Sequence, residues 1–124
     1  AGIEGHAAMK EDIPAFAYCK VEIFIPQSHL SVLQKALQSA DAGHMGCYDS
    51  CLSYSPVTSC WRPLPGSDPY QGEENVLCTA PEVKVEVTCP RELAPAVVKA
   101  VKAVHPYEVP VIQVIPLWMT GLPD

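Results

Sequence analysis

Between Tyr18 and Ile25 apolar and polar residues alternate, with Cys19, Val21, Ile23 and Ile25 on one side of the chain and Tyr18, Lys20, Glu22 and Phe24 on the other. A period of two predicts a strand buried mainly on one face, and Pro26 ends it. Leu30, Leu33, Leu37 and Ala40 then recur at three- and four-residue spacing, the stripe of an amphipathic helix. Ser28 is placed to cap that helix. Gly43 is placed to terminate it, since glycine accepts the left-handed conformation common after a helix end. The Ser, Thr, Tyr, Cys and Val mixture of residues 47–62 reads as a second strand, which Pro56 marks as an edge or a bulge.

The stretch from Arg62 to Gly72 is too punctuated by Pro and Gly for regular structure and predicts a long connection. Such connections in compact domains are often functional. Val83, Val85, Val87 and Cys89 next alternate with Lys84, Glu86 and Thr88. This region forms either a short strand at 76–79 pairing beside 83–89, or one bent strand over 76–89. Pro90 and Pro95 suit the start of a second helix with the apolar stripe Leu93, Val97, Ala100, Val101 and Val104. Pro106 disfavours helical geometry at His105 and stops it. Val111, Ile112, Val114 and Ile115 predict a last strand, ended by Pro116.

The order strand, helix, strand, strand, helix, strand is an α+β arrangement, the ferredoxin-like split βαβ (βαββαβ), with an antiparallel sheet and two helices on one face. The other face is then uncovered, and residues 111–115 are apolar on both sides. Apolar residues on an uncovered sheet face favour a homo-oligomer.

The 124 residues, 48% of them hydrophobic, fit one domain with a modest core. Residues 1–14 are Gly- and Ala-rich without a period and are expected to be a flexible arm or tag remnant, residues 15–119 the single domain, and 120–124 a tail. Fourteen acidic against eight basic residues leave a formal charge of −6, which excludes nucleic acid and anionic lipid as expected partners and favours cations. No apolar run approaches the roughly 18 residues that span a bilayer, so no membrane association is expected. Of six cysteines, Cys19 and Cys89 fall on apolar strand faces and Cys78 in a strand-like run, while Cys47, Cys51 and Cys60 lie in polar surroundings. That distribution predicts reduced thiols and a cytoplasmic protein rather than a disulfide framework.

Two segments where helix gives way to strand concentrate the polar chemistry, and as equivalent corners of two half-domains they are expected to bring His44 and His105 to one cleft. Gly43–Cys51 carries His44, Cys47, Asp49 and Cys51, and His105–Pro110 carries His105, Tyr107 and Glu108. Imidazole, thiolate and carboxylate suit zinc or copper, so His44, Cys47, Asp49, Cys51, His105 and Glu108 are the candidate metal ligands. The structural alternative has His44 bonding backbone at the helix end, Asp49 fixing the turn, Cys51 packing, and His105 and Glu108 satisfying a buried junction. Trp61, Arg62 and Tyr70 in the long connection, with Tyr107, are candidate ligand-binding residues, because aromatic and Arg side chains are enriched at recognition surfaces. Phosphate is disfavoured: Arg62 is the one basic residue between Trp61 and Pro81, where Asp68, Glu73 and Glu74 repel anions, and no glycine-rich cradle occurs. An enzyme using Cys51 with His44 is the alternative class, and it lacks an oxyanion site in the sequence. The expectation is therefore no enzymatic activity.

The string Gly43-His44-Met45-Gly46-Cys47-Tyr48-Asp49-Ser50-Cys51, then Trp61-Arg62-Pro63, Pro69-Tyr70-Gln71-Gly72 and His105-Pro106-Tyr107-Glu108, resembles the domain inserted in YqfO-type (Nif-three-like) proteins, of the CutA/PII-like group. His105–Pro110 is also similar to the matching stretch of CutA, the divalent-cation-tolerance family. The resemblance covers about residues 18–118, nearly the whole patterned chain. It implies a βαββαβ domain that tends to form trimers. The split βαβ order, the acidic charge and the two polar junctions add the expectation of a small oligomeric binding or regulatory module, with a divalent or transition-metal cation or a protein partner as its candidates. It does not imply an enzyme, since the dinuclear metal centre of YqfO-type proteins belongs to flanking halves. Neither half occurs in this sequence, which leads to the expectation of a standalone form.

Overall fold

A computed structural model describes residues 16–122. Strand β1 (Tyr18–Ile25) leads through a 3₁₀ turn (Gln27–His29) into helix α1 (Leu30–Ser39), followed by β2 (Ser53–Trp61) and β3 (Cys78–Pro90). A second 3₁₀ turn (Arg91–Leu93), helix α2 (Ala94–Val104) and β4 (Val111–Leu117) complete the chain. The strands form one antiparallel sheet in the order β2-β3-β1-β4. Both helices cover one face, where Leu30, Leu33, Leu37, Val97 and Val101 meet Val21, Ile23, Ile25, Val83, Val85 and Val87 in a single core. This is the ferredoxin-like architecture expected from the periodicity. The expected arm at 1–14 lies outside the described residues.

Strand β3 is continuous over the 13 residues Cys78–Pro90, so this region forms one strand and not two, starting two residues later than expected. Pro56 lies on β2, an edge of the sheet, where its missing N–H costs no ladder bond. The same tolerance corrects the expected end of β4. Pro116 sits opposite Cys19 inside the strand, which runs on to Leu117, because β4 is the other edge.

Two capping expectations are also corrected. Ser28 belongs to the 3₁₀ turn and its hydroxyl meets His29 Nδ1 at 2.9 Å, so α1 starts without a side-chain cap. Helix α1 is closed by Asp41, which takes φ +60°, rather than by Gly43. Asp41 N–H donates to Gln38 O at 3.0 Å and Ala42 N–H to Leu37 O at 2.9 Å, the paired bonds of a Schellman ending. Gly43 performs a different task. Its N–H donates to Thr88 O at 2.9 Å and its carbonyl accepts from Cys51 N–H at 3.0 Å, tying the junction to β3. A Cβ there would lie 2.3 Å from Cys51 O.

The uncovered face is more polar than the alternation of β4 predicts. At its centre Lys20 reaches Glu22 at 3.0 Å and Glu86 at 3.5 Å, while Lys84 reaches the same carboxylates at 3.6 and 3.4 Å. The hydrogen bond to Lys20 is the main cause that holds the Glu22 carboxyl below its ordinary range, and its counterpart raises Lys20. Exposed apolar side chains gather instead along β4 and beyond it, at Val111, Val114, Ile115, Trp118 and Met119.

Candidate functional site: an aromatic cavity on the open face

The antiparallel crossovers place the two polar junctions at opposite ends of the sheet. Gly43 is tied to Thr88, which pairs with Lys20 near the start of β1, whereas His105 bonds Phe24 O near its end. Four residues of strand separate the two anchor points, about 13 Å. His44 and His105 therefore do not share a cleft, which corrects the expectation of equivalent corners.

At the first junction His44 Nδ1 lies 2.8 Å from Asp41 Oδ1 and Nε2 lies 3.1 Å from Gly46 O. Carboxylate and carbonyl oxygens both accept, so this is the geometry of an imidazolium donating from both nitrogens. The hydrogen bond to Asp41 accordingly raises the His44 pKa. Cys51 Sγ donates to Asp49 O at 3.6 Å, Cys47 is exposed, and Asp49 accepts from the Ser50 hydroxyl at 3.1 Å. At the second junction His105 is 8% exposed; Nε2–H donates to Phe24 O at 2.7 Å and Nδ1 accepts from Tyr107 N–H at 3.2 Å. Burial is the main cause that lowers its pKa, in keeping with a neutral ring. Glu108 accepts from Asp68 N–H at 3.1 Å. Among the described residues no three His, Cys, Asp or Glu side chains converge on a point. The six candidate ligands are not brought together among the described residues of one chain, and the nitrogens of both histidines are engaged in hydrogen bonds.

The four candidate ligand-binding residues are brought together. Trp61, Arg62, Tyr70 and Tyr107 line a cavity of about 600 Å³ on the open face. Phe24 of β1, Glu82 of β3, Ser59 of β2 and Val111 and Gln113 of β4 line it from the sheet. Residues of the 62–71 connection and of 107–109 also border it. The connection folds back because Trp61 Nε1–H donates to Gln71 O at 3.1 Å, Asn75 N–H to Pro63 O at 2.6 Å, and Asp68 N–H to Glu108. Gly72 takes φ +108°, a conformation that favours glycine, and an added Cβ would lie 3.3 Å from both Cys78 Cβ and Pro63 Cγ.

Tyr107 joins the walls of the cavity. Its ring centroid lies 5.8 Å from Trp61, 5.7 Å from Tyr70 and 4.9 Å from His105, and its hydroxyl donates to Glu82 Oε2. Burial, and then the Glu82 carboxylate, push the Tyr107 phenol well above its ordinary range, so it stays a hydrogen-bond donor. Glu82 was not singled out in the sequence. It falls on the polar side of the β3 alternation beside Lys84 and Glu86 and reads there as a solvated residue, yet it is 5% exposed.

A family model described as "CutA1 divalent ion tolerance protein" matches residues 51–121. The chain belongs to this family. The CutA1 domain is 34% identical over 115 residues to a "GTP cyclohydrolase 1 type 2 homolog" of Listeria monocytogenes, covering 92% of this chain and 31% of that protein. The chain thus spans less than a third of the length of that relative. Among solved structures, a Bacillus cereus protein related to NIF3 superposes with a TM-score of 0.74 at 34% identity, over 89% of this chain and 28% of the other. A periplasmic divalent cation tolerance protein CutA from Archaeoglobus fulgidus superposes with a TM-score of 0.63 at 22% identity, over 83% and 86% of the two chains, a likeness of fold. The resemblance to Nif-three-like and CutA proteins drawn from the motifs is what these relatives display. The family model begins at Cys51, so β1 and α1 of this CutA1 domain lie outside the matched stretch.

Proposed function

We propose that this CutA1 domain is a small binding module of the CutA/PII-like kind, which takes a small molecule in the aromatic cavity of its open face and acts by binding rather than by catalysis. One observation carries the reading: a 600 Å³ cavity lined by Trp61, Arg62, Tyr70 and Tyr107 together with the buried Glu82. Concave sites of this size, mostly apolar with a few placed polar groups, are the usual form of small-molecule sites. Cys51 and His44 give the enzyme alternative no support, because each is bonded to its own loop.

Trp61 and Trp118 are the two tryptophans. A Trp118→Phe variant makes Trp61 the reporter of cavity occupancy, titrated with phenethylammonium, 2-phenylethanol and phenylacetate. A saturable shift of Trp61 emission by any of them, lost in Tyr107→Ala, is the expected result. Failure of all three overturns the reading.

Self-association is part of the same proposal. The edges β2 and β4 and the exposed apolar residues Val111, Val114 and Ile115 favour a homo-oligomer, a trimer on the family resemblance. Light scattering at micromolar concentration that returns a monomer overturns it. No helix among the described residues is long and apolar enough to cross a membrane. We keep a reduced, cytoplasmic setting within the proposal. A transition-metal cation stays an open part of the proposal, tested by metal analysis of the purified chain and titration with zinc and copper; no uptake of either removes it.

A further inference from the structure

Three polar side chains are buried among the described residues: Glu22, Glu82 and His105. His105 has both nitrogens satisfied. Glu22, 7% exposed, lies between two ammonium groups, Lys20 at 3.0 Å and Lys84 at 3.6 Å. Glu82 sits on the same face of the same sheet, is equally buried, and lacks such compensation. Its polar contact is the neutral Tyr107 hydroxyl on Oε2, and among the described residues no Lys, Arg or His lies within ion-pairing distance. A buried carboxylate is costly to desolvate unless paired. Burial, and then the neighbouring Glu82, keep Tyr107 protonated, so its hydroxyl stays a donor to Glu82 Oε2.

What Glu82 faces instead is the cavity. Three aromatic rings, Trp61, Tyr70 and Tyr107, line it, with centroids 5.7–5.8 Å apart around Tyr107. The negative faces of such rings attract a cation, most strongly where water is excluded. Glu108 adds a second carboxylate to the lining, and Arg62, the one basic lining residue, is exposed.

We infer that the cavity takes a small organic cation, an ammonium or guanidinium group on an apolar body, with the charge against Glu82 and the body among Trp61, Tyr70 and Tyr107. This rests on the binding reading above and adds the chemical class. The same chemistry has two sources, a free molecule or a Lys or Arg side chain of a second copy.

The test compares phenethylammonium, its neutral isostere 2-phenylethanol and the anion phenylacetate on the Trp118→Phe protein. The ammonium is expected to bind roughly tenfold more tightly than the alcohol, and phenylacetate no better than the alcohol. In Glu82→Gln the alcohol should bind as before while the preference for the cation falls to about threefold or less. Equal or tighter binding of the alcohol or the anion overturns the inference while leaving the cavity as a binding site. Silence from all three probes defeats the binding reading itself. The wild-type contrast decides even where Glu82→Gln does not fold, and Tyr107→Phe, which keeps ring and carboxylate, should retain the cation preference. If Trp61 emission shifts with protein concentration alone and phenethylammonium reverses that shift, the cation comes from a second copy. If dilution leaves the emission unchanged, a free molecule supplies it.

Discussion

Gly43→Ala is expected to be among the most damaging single-methyl changes in this protein, and its cost can be worked from local geometry. Gly43 holds φ +78°, and an added Cβ would meet Cys51 O at 2.3 Å, Cys51 N at 3.0 Å and Cys51 C at 3.1 Å. All three are backbone atoms, so no side chain can rotate away. Left-handed backbone costs an L-residue about 1–2 kcal/mol. Relieving the clash must also separate Gly43 from Cys51 and Thr88, loosening two hydrogen bonds of 3.0 and 2.9 Å, each about 1 kcal/mol net. The sum is about 3–4 kcal/mol, a large part of the 5–15 kcal/mol typical of whole domains. Gly46→Ala is the control, since Gly46 has φ +59° and a Cβ added there would meet nothing within 4 Å; it should cost only the backbone share, about 1–2 kcal/mol. Urea unfolding followed by far-UV circular dichroism measures both. At a slope of about 1.5 kcal/mol/M, Gly43→Ala should lower the midpoint by roughly 2 M. Equal destabilisation of the two variants would refute the reasoning, because the close approach to Cys51 is all that separates them.

Burial lowers the His105 pKa below its ordinary 6.5, so the stability it contributes is full above that value and is lost as pH falls towards the folded value. His105→Gln, whose amide can donate to Phe24 O and accept from Tyr107 N–H, should therefore lose less stability than wild type between about pH 7.5 and pH 5.5, read from urea midpoints. His44 has the opposite sign. Its raised pKa makes the Asp41 contact stabilising below 6.5 and lost as pH rises through the folded value. Asp41→Asn, which tolerates positive φ, should move the His44 NMR titration towards 6.5; an unchanged midpoint would mean that the contact does not form in solution. Among the thiols, exposed Cys47 and Cys60 should react first with an aromatic disulfide reagent. Cys19 and Cys89, buried with their sulfurs 3.6 Å apart, should react only on denaturation, since burial first, and then Cys19, push Cys89 up to about 12. Rapid labelling of Cys89 in the native protein, located by peptide mapping, would contradict this.

The strands and helices were legible because their signals are local. Val21-Ile23-Ile25 and Leu30-Leu33-Leu37 repeat at the periods of the elements they form, and the same residues fill the core. Their order already implied the split βαβ arrangement. The cavity residues Trp61, Arg62 and Tyr70 were legible for a different reason: large aromatic and cationic side chains at the end of β2 and in the proline-rich connection after it have no core to explain them.

Tertiary structure decided the rest. Antiparallel crossovers carried the two histidine junctions to opposite ends of the sheet, although in sequence they look like equivalent corners. The edge position of β4 let Pro116 stay within a strand, which no local pattern reveals. Glu22 and Glu82 are alike in the alternation, each a carboxylate on the polar face. The register between β1 and β3 added Lys84 to the Lys20 that Glu22 has on its own strand, while the fold of distant segments gave Glu82 a phenol and a cavity. Periodicity tells which side of a strand a residue occupies; what stands opposite it depends on segments far away in the chain, and the chemistry of this site lies in that difference.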